Sequence, residues 1–301
     1  MGFISNGRVN IVITNRKLRY TFHKNNKLEG LQEHGELELP PSVLEEGKIM
    51  DKAGFSELIR KLVQEHKWKR KKLLFAVPDD TVVIRQIEVP AALSREEARD
   101  YIETQLGNSI YLPFANPSIA IDFLEKQGDK QHILLFAYPK EKINDFVEVF
   151  EQQGLRPVVA DLTSLSVYRY YMATRKETTT QNHILHVHWN AEALVLTAFK
   201  ENKPIFTRHM KMEKAMENSD MDRTINEYLI EINRIIDFYQ YSITKGTSQI
   251  ELLLLSGDYA GLPALKQRFI EGETLAVEDF SNGELPSKYT DVLGLAMKNE
   301  V

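Results

Sequence analysis

The chain has no cysteine among its 301 residues. That excludes disulfide staples, thiol nucleophiles and thiolate-held zinc outright. It also lacks any apolar run approaching about 18 residues, so no segment reads as a membrane-spanning helix. Positive charge is not in excess: 38 Lys and Arg stand against 43 Asp and Glu, for a net charge of −5. Nucleic acid is thereby disfavoured as a partner, because neutralising phosphates takes a basic face. Glycine is scarce, at 15 residues, or roughly 5% against an average of about 7%. Folds that wrap phosphates in several loops ordinarily need more. The opening MGFISNGRVN carries neither the basic nor the apolar stretch of a signal peptide. Asn6 stands where myristoylation at Gly2 needs Ser or Thr. The expected address is the cytoplasm.

What is present is a globular composition, 43% hydrophobic and 27% charged, long enough for two ordinary cores or one large lobed fold. Residues 9–13 and 18–22 read as a β-hairpin. Phe55, Leu58, Ile59, Leu62 and Val63 recur at helical spacing. Strands follow at 73–77 and 82–89, each stopped by a proline. Ser94 with Glu97 is a capping box opening a helix to about Leu106. Strands at 119–124 and 133–138 flank a polar GDK turn, and an amphipathic helix runs from Lys140 to Gln153 before Gly154. A short strand at 157–160 and a helix at 162–174 complete the first half.

The polar stretch 175–182 reads as a linker, after which the pattern restarts. Residues 183–199 and 204–210 read as a second hairpin around Glu-Asn-Lys, followed by a long helix over 221–244. A strand at 250–255, a helix at 263–269 and a last helix at 291–298 close the chain. Each half opens on a hairpin and continues with alternating elements, which predicts an internally duplicated, two-lobed α/β fold.

Few constellations suggest chemistry. His186 and His188 share a strand face and His183 does not, and no further ligand completes a tetrahedron, so strand histidines are the expectation. His23, His34 and His132 stand alone. KWKRKK, Lys67 to Lys72, is the most basic run. At a helix-to-strand handover it reads as a solvated connection, with contact to anionic lipid as the alternative. Asp79-Asp80 after Pro78 reads as a turn. The tyrosines at 168–171 and the FYQY stretch read as core, and no nucleophile elbow occurs. LLLLSGDYAGLPAL, Leu252 to Leu265, has the strand–glycine–helix order that presents backbone N–H groups to a phosphate or sugar.

Several stretches, in order, resemble the PilM family of type IV pilus biogenesis proteins. They are LLFAVPDDTVVIRQIEVP, SREEARDYIETQLGNSIYLPF, QGLRP with Asp161, YLIEINRIIDFYQ, LLLLSGDYAGLPAL and YTDVLGLAMK. The resemblance implies an FtsA- and actin-like two-lobed fold with a small α+β subdomain inserted in the first lobe. Residues 1–81 and 154–176 would form the first lobe and 82–153 the insertion. Residues 177–301 would form the second lobe, with a helical part at 213–249.

The same resemblance implies where ATP and Mg²⁺ would lie, and there this sequence departs from the family. The counterparts of the first phosphate turn are Val12 and Asn15, with no Asp or Gly in NIVITNRKLRY. In the second turn His188 replaces the Asp and Asn190 the Gly, with Glu192 bringing negative charge nearby. In the adenosine turn Gly257 is kept, but Asp258 and Tyr259 replace glycines. The expectation is therefore a non-enzymatic scaffold with no cofactor and no metal, an ATP/Mg-switched protein being the alternative. The partner implied is a PilN-like bitopic inner-membrane protein, held by its N-terminal tail peptide. Other pilus platform subunits or the assembly ATPase are further candidates. No nucleic acid and no direct membrane insertion are expected, with recruitment to the cytoplasmic face by that partner.

Overall fold

Both halves of the chain build the same five-stranded sheet. The computed structural model describes residues 7–175, 181–212, 221–272, 275–281, 283 and 285–300. Most of the linker read at 175–182, the segment 213–220 and the start of the chain, with Gly2 and Asn6, lie outside the described residues.

In the first lobe, β1 (Arg8–Ile13), β2 (Lys17–His23) and β3 (Leu31–Glu38) form a meander. The two-residue strands β4 (Leu44–Glu45) and β5 (Lys48–Ile49) lead to α1 (Lys52–Glu65), capped by Asp51. Next come β6 (Lys72–Val77) and, after the insertion, β10 (Arg156–Leu162), which both pair in parallel; the sheet order is β10-β6-β1-β2-β3. All six residues of β1 are buried, as suits a central strand covered on both faces. β3 escaped the sequence reading because LQEHGELE is polar and half exposed, with little apolar alternation to detect.

The insertion holds β7 (Val83–Pro90), α2 (Arg95–Gln105), β8 (Pro117–Gln127) and β9 (Lys130–Pro139), in sheet order β7-β9-β8. The Ser94–Glu97 capping box forms as expected. The next helix, α3 (Lys140–Gln152), sends Phe146 and Phe150 against Phe55 and Phe75 in the first-lobe core. After α4 (Thr163–Thr174) the second lobe begins.

There β11 (His183–Trp189), β12 (Ala193–Lys200) and β13 (Lys203–Lys211) repeat the meander. Residues 183–199 are thus two strands where the sequence reading saw one arm of a hairpin. The break lies at Asn190, whose side-chain oxygen accepts from the Glu192 and Ala193 N–H groups at 2.9 Å each. This Asx turn overrides the β propensity of its neighbours. The Glu-Asn-Lys turn forms as read, with Glu201 and Asn202 at φ 49° and 65°, the left-handed pair that a two-residue hairpin needs. Then come α5 (Met221–Phe238), β14 (Leu252–Gly257), α6 (Leu262–Glu271), β15 (Ala276–Glu278) and α7 (Thr290–Ala296). The sheet order β13-β12-β11-β14-β15 reproduces that of the first lobe strand for strand.

The lobes are not separate bodies. Val12 and Leu74 of one share an apolar cluster with Ile184, Leu252 and Leu254 of the other, around α4 and α7. The two helices approach so closely that a Cβ on Gly294 would sit 1.8 Å from the Ser166 carbonyl oxygen.

Candidate functional site

The duplicated meanders bring two hairpin turns face to face across the cleft. In the first turn, Thr14 closes the β1–β2 hairpin by accepting from the Lys17 N–H at 3.0 Å. The neighbouring Asn15 N–H is aimed across the cleft, where an anion would be expected. It donates instead to the Glu192 carboxylate of the second lobe, at 3.1 Å. Arg16 Nε lies 3.9 Å from the other carboxylate oxygen. Asn15 Oδ1 is also engaged, accepting from Gly47 N–H at 2.9 Å. Val12 is buried in the apolar core shared by the two lobes. Burial raises the Glu192 carboxyl to about 7 against the opposing pull of Arg16 and the Asn15 N–H, and Asp258 adds to the rise.

Beside this turn lies a network that the sequence did not disclose. Arg19 of β2 is fully buried and donates to three carboxylates: Glu36 at 2.7 Å, Asp291 at 3.0 Å, and Asp258. Lys17 joins Asp258 at 2.7 Å and Lys288 joins Glu36 at 3.0 Å. Three cations therefore meet three anions, two of which, Asp258 and Asp291, come from the second lobe. Burial alone would lower the Arg19 pKa, yet Asp291, Asp258 and Glu36 together raise it. Burial likewise opposes ionisation of Asp258, but Arg19 and Lys17 prevail and hold it below the usual carboxylate range. The partners of Arg19 lie up to 272 residues away in the chain, so periodicity carries no signal of them.

A third carboxylate also holds a position suited to a phosphate. Asp79 is buried and accepts from the Thr163 and Ser164 N–H groups at 3.1 and 3.2 Å, capping the N-terminus of α4. The sequence reading placed Asp79-Asp80 in a turn, which is where they lie. What it missed is the cap 84 residues away. Burial raises Asp79 to about 7, only partly offset by the two N–H groups. Between the two hairpins the remaining cavity is about 30 Å³, lined by Asn15, Asp79, Asp80, His188 and Asn190 among others. That is room for about one or two water molecules.

The second turn and the third loop are structural in their details. His188 Nδ1 and His186 Nε2 both meet Ser256 Oγ, at 2.8 and 2.7 Å. Burial lowers both imidazoles from their ordinary range, and His186 furthest. Gly257 has φ 115°, and a Cβ there would lie 1.9 Å from the Trp189 carbonyl oxygen. Its retention is explained by this strand contact without any ligand. Tyr259 stacks on Trp189 with ring centroids 4.3 Å apart. Beyond it a cavity of about 390 Å³ opens, lined by Ser256, Asp258, Tyr259, Leu262 and Lys288 among others. A hydrated Mg²⁺ with a triphosphate does not fit this arrangement. The backbone donors that would take phosphate oxygens already hold the carboxyl groups of Glu192 and Asp79, so those donors are open to a phosphate only once these side chains have moved away.

The likeness to known proteins agrees with this geometry at the level of fold and family. Residues 17–224 match the family model described as type IV pilus assembly protein PilM. The chain belongs to the PilM family. Among solved structures it is similar to a PilM–PilN type IV pilus biogenesis complex, with a TM-score of 0.77 and 18% identity over 96% of this chain and 97% of that one. It is also similar to the cytoplasmic domain of EpsL, an inner-membrane component of the type II secretion system of Vibrio cholerae. That match has a TM-score of 0.53 and 11% identity, over 96% of this chain and 92% of that one. A Bacteroides thetaiotaomicron protein with an actin-like ATPase fold matches with a TM-score of 0.52 and 12% identity, over 98% and 97% of the two chains. The fold is actin-like, as the duplicated sheets require.

Two further features of this PilM-family chain refine the sequence reading. Trp68 of KWKRKK is buried, stacked on His66 at 4.5 Å and edge-on to Tyr20 at 5.2 Å, so it offers no aromatic side chain to a lipid surface. His183 Nδ1 meets the Tyr239 hydroxyl at 2.5 Å. Among the described residues no three His, Asp or Glu side chains are grouped to hold a metal ion, and no helix is long and apolar enough to cross a membrane.

Proposed function

We propose that this PilM-family chain is a nucleotide-independent scaffold of a type IV pilus or related machine. In this reading it holds a short extended segment of a single-pass, PilN-like membrane protein at the cytoplasmic face. The observation that carries the reading is a groove of about 240 Å³ between two open sheet edges. β8 ends the inserted sheet and β10 ends the first-lobe sheet, and neither edge has a further strand among the described residues. Consecutive residues of both strands, 118–121 and 160–162, line the groove. Phe136, Ala137 and Tyr138 of the central strand β9 line it as well, so it is the outermost place of β8 and β10 in their sheets that leaves edge donors and acceptors beside the groove.

Val77, Val82, Phe136, Ile143 and Leu165 supply its apolar walls, and Lys298 and Asp161, paired with each other at 3.0 Å, its charges. Open backbone donors and acceptors beside apolar pockets suit an extended peptide that adds a strand. The similar fold seen in a PilM–PilN complex supports a partner of that kind. The cleft supports the nucleotide-independent part, because its anion positions hold the protein's own carboxylates. The observation that favours the alternative, a nucleotide-switched protein, is the 390 Å³ cavity beside Gly257, which keeps room for a base and sugar. Calorimetric titration with the N-terminal tail peptide of the membrane partner, with and without Mg-ATP, decides between them. The scaffold reading expects saturable peptide binding of one affinity in both conditions.

A further inference from the structure

At the opposite end of the first-lobe sheet from the cleft lies another cavity, of about 410 Å³. The starts of three parallel strands meet there, bringing Arg8 of β1, Lys72 of β6 and Arg156 of β10 together. Lys24 follows β2, and Arg70 and Lys71 of the basic run complete the wall. Six cations line one concavity of a chain whose net charge is −5. The single carboxylate among the described lining residues is Glu300, which pairs with Lys72 at 2.6 Å. Lys24, Arg70 and Arg156 make no ion pair with a described residue, and all three are exposed.

Two observations separate this cavity from an ordinary solvated surface. Arg70 has φ 66°, a left-handed backbone that a glycine adopts freely and an arginine adopts at a cost. Its N–H donates to the Gly154 carbonyl at 2.7 Å, which ties the basic run to the approach to β10. Arg8 is 93% buried from its 7% exposure, and its Nε has no hydrogen-bond partner among the described residues, while Nη2 donates to the Ala296 carbonyl. That nitrogen is closed off from solvent, so Arg8 adds charge beside the cavity and no donor to a ligand within it.

We propose that this cavity binds a compact phosphate-bearing polyanion. The described lining residues are charged and amide side chains and one glycine, with Asn25, Asn26 and Asn299 between the cations. Among the described lining residues no aromatic or aliphatic side chain offers a face to a base, so the chemistry fits a phospholipid headgroup or an inorganic polyphosphate better than a nucleotide. Arginine forks and amide donors match phosphate oxygens in charge and in geometry. The site does not depend on the peptide groove. Arg156 and Ala160 stand four residues apart on β10, about 13 Å at the usual strand rise, so a ligand here lies close to that groove without sharing it.

The experiment uses the full chain with two probes. One is cosedimentation with vesicles of phosphatidylcholine alone or mixed with phosphatidylglycerol. The other is calorimetry with inorganic tripolyphosphate. Binding to the anionic vesicles alone assigns a lipid headgroup, and binding to tripolyphosphate assigns a free polyanion. In the double variant Arg70→Gln, Arg156→Gln the affinity falls about 30-fold, the scale of two lost cations at an anionic surface. Lys24→Gln alone gives about fivefold, and serves if the double variant folds poorly. Arg99→Gln with Lys130→Gln, two exposed cations outside the cavity, leaves binding unchanged. Absence of binding to both probes overturns the proposal, and so does an equal loss in the outside variant. Peptide binding is measured alongside, so that failure of this site and failure of the groove are read separately.

Discussion

Lys17 of the first lobe and Asp258 of the second are joined across the cleft at 2.7 Å, through the same carboxylate oxygen that receives Arg19. The position that the family resemblance marks as an adenosine glycine is thus the anion of an interlobe ion cluster. The lobes are thus bridged in this cleft by side chains of the protein.

Breaking the cluster destabilises the fold. Asp258→Ala leaves Lys17 and the buried Arg19 short of one carboxylate. The expected loss is about 3 kcal/mol, at the low end for a broken buried pair because Glu36 and Asp291 still hold Arg19. Thermal unfolding measures it, and added Mg-ATP does not restore the melting temperature. A variant that melts like the parent contradicts the assigned role.

Gly257→Ala is expected to fail for a reason unrelated to nucleotide. The new Cβ meets the Trp189 carbonyl oxygen and the residue must hold φ 115°, so a loss of about 3 kcal/mol or more, or misfolding, follows. Gly257 substitution is therefore unsuited as a probe of ATP binding. A soluble, normally melting G257A protein would show that the strand contact is less tight than described.

Stability should fall as pH rises from about 4.5 to 7. Burial raises Glu192 and Asp79 to about 7, above their values in the unfolded chain. Between the two values the folded state holds the extra proton, so stability is greatest at the acid end and is lost as pH climbs through 7. The slope is at most about 1.4 kcal/mol per pH unit for each group. Denaturant unfolding across this range checks it. Glu192→Gln and Asp79→Asn should each flatten the profile, and an unaltered slope in both would contradict the assignment.

The groove prediction uses an exposed residue. Ala120 lies on the open edge strand β8 and lines the groove, so Ala120→Arg changes the site without disturbing the core. Peptide binding should weaken at least tenfold while the melting temperature stays within about a degree, since surface substitutions outside special features change stability little. Equal binding by parent and variant would place the peptide elsewhere.

The duplicated fold was legible because each half opens on a recognisable hairpin and most helices carry their own periodicity: the 55–63 stripe, the Ser94 box and the Leu252 run each announce an element locally, whereas the break at Asn190 inside 183–199 did not. β3 was not, because an edge strand of polar residues has little pattern to offer. The degenerate turns at Val12, His188 and Asp258 were visible as departures, yet what replaced the missing chemistry was not. Glu192 was read as a nearby charge, whereas Arg19 and the Asp79 cap depend on partners tens to hundreds of residues away. KWKRKK was legible as a charge run, but only the folded chain shows Trp68 turned inward and Arg8, Lys24 and Arg156 gathered beside it.

The most direct test of the central claim is calorimetric titration of the purified chain with the partner's N-terminal tail peptide and, separately, with Mg-ATP. The account predicts saturable heat with the peptide, none with Mg-ATP at micromolar protein, and a peptide affinity that Mg-ATP leaves unchanged. Saturable Mg-ATP binding that shifts the peptide affinity would contradict it.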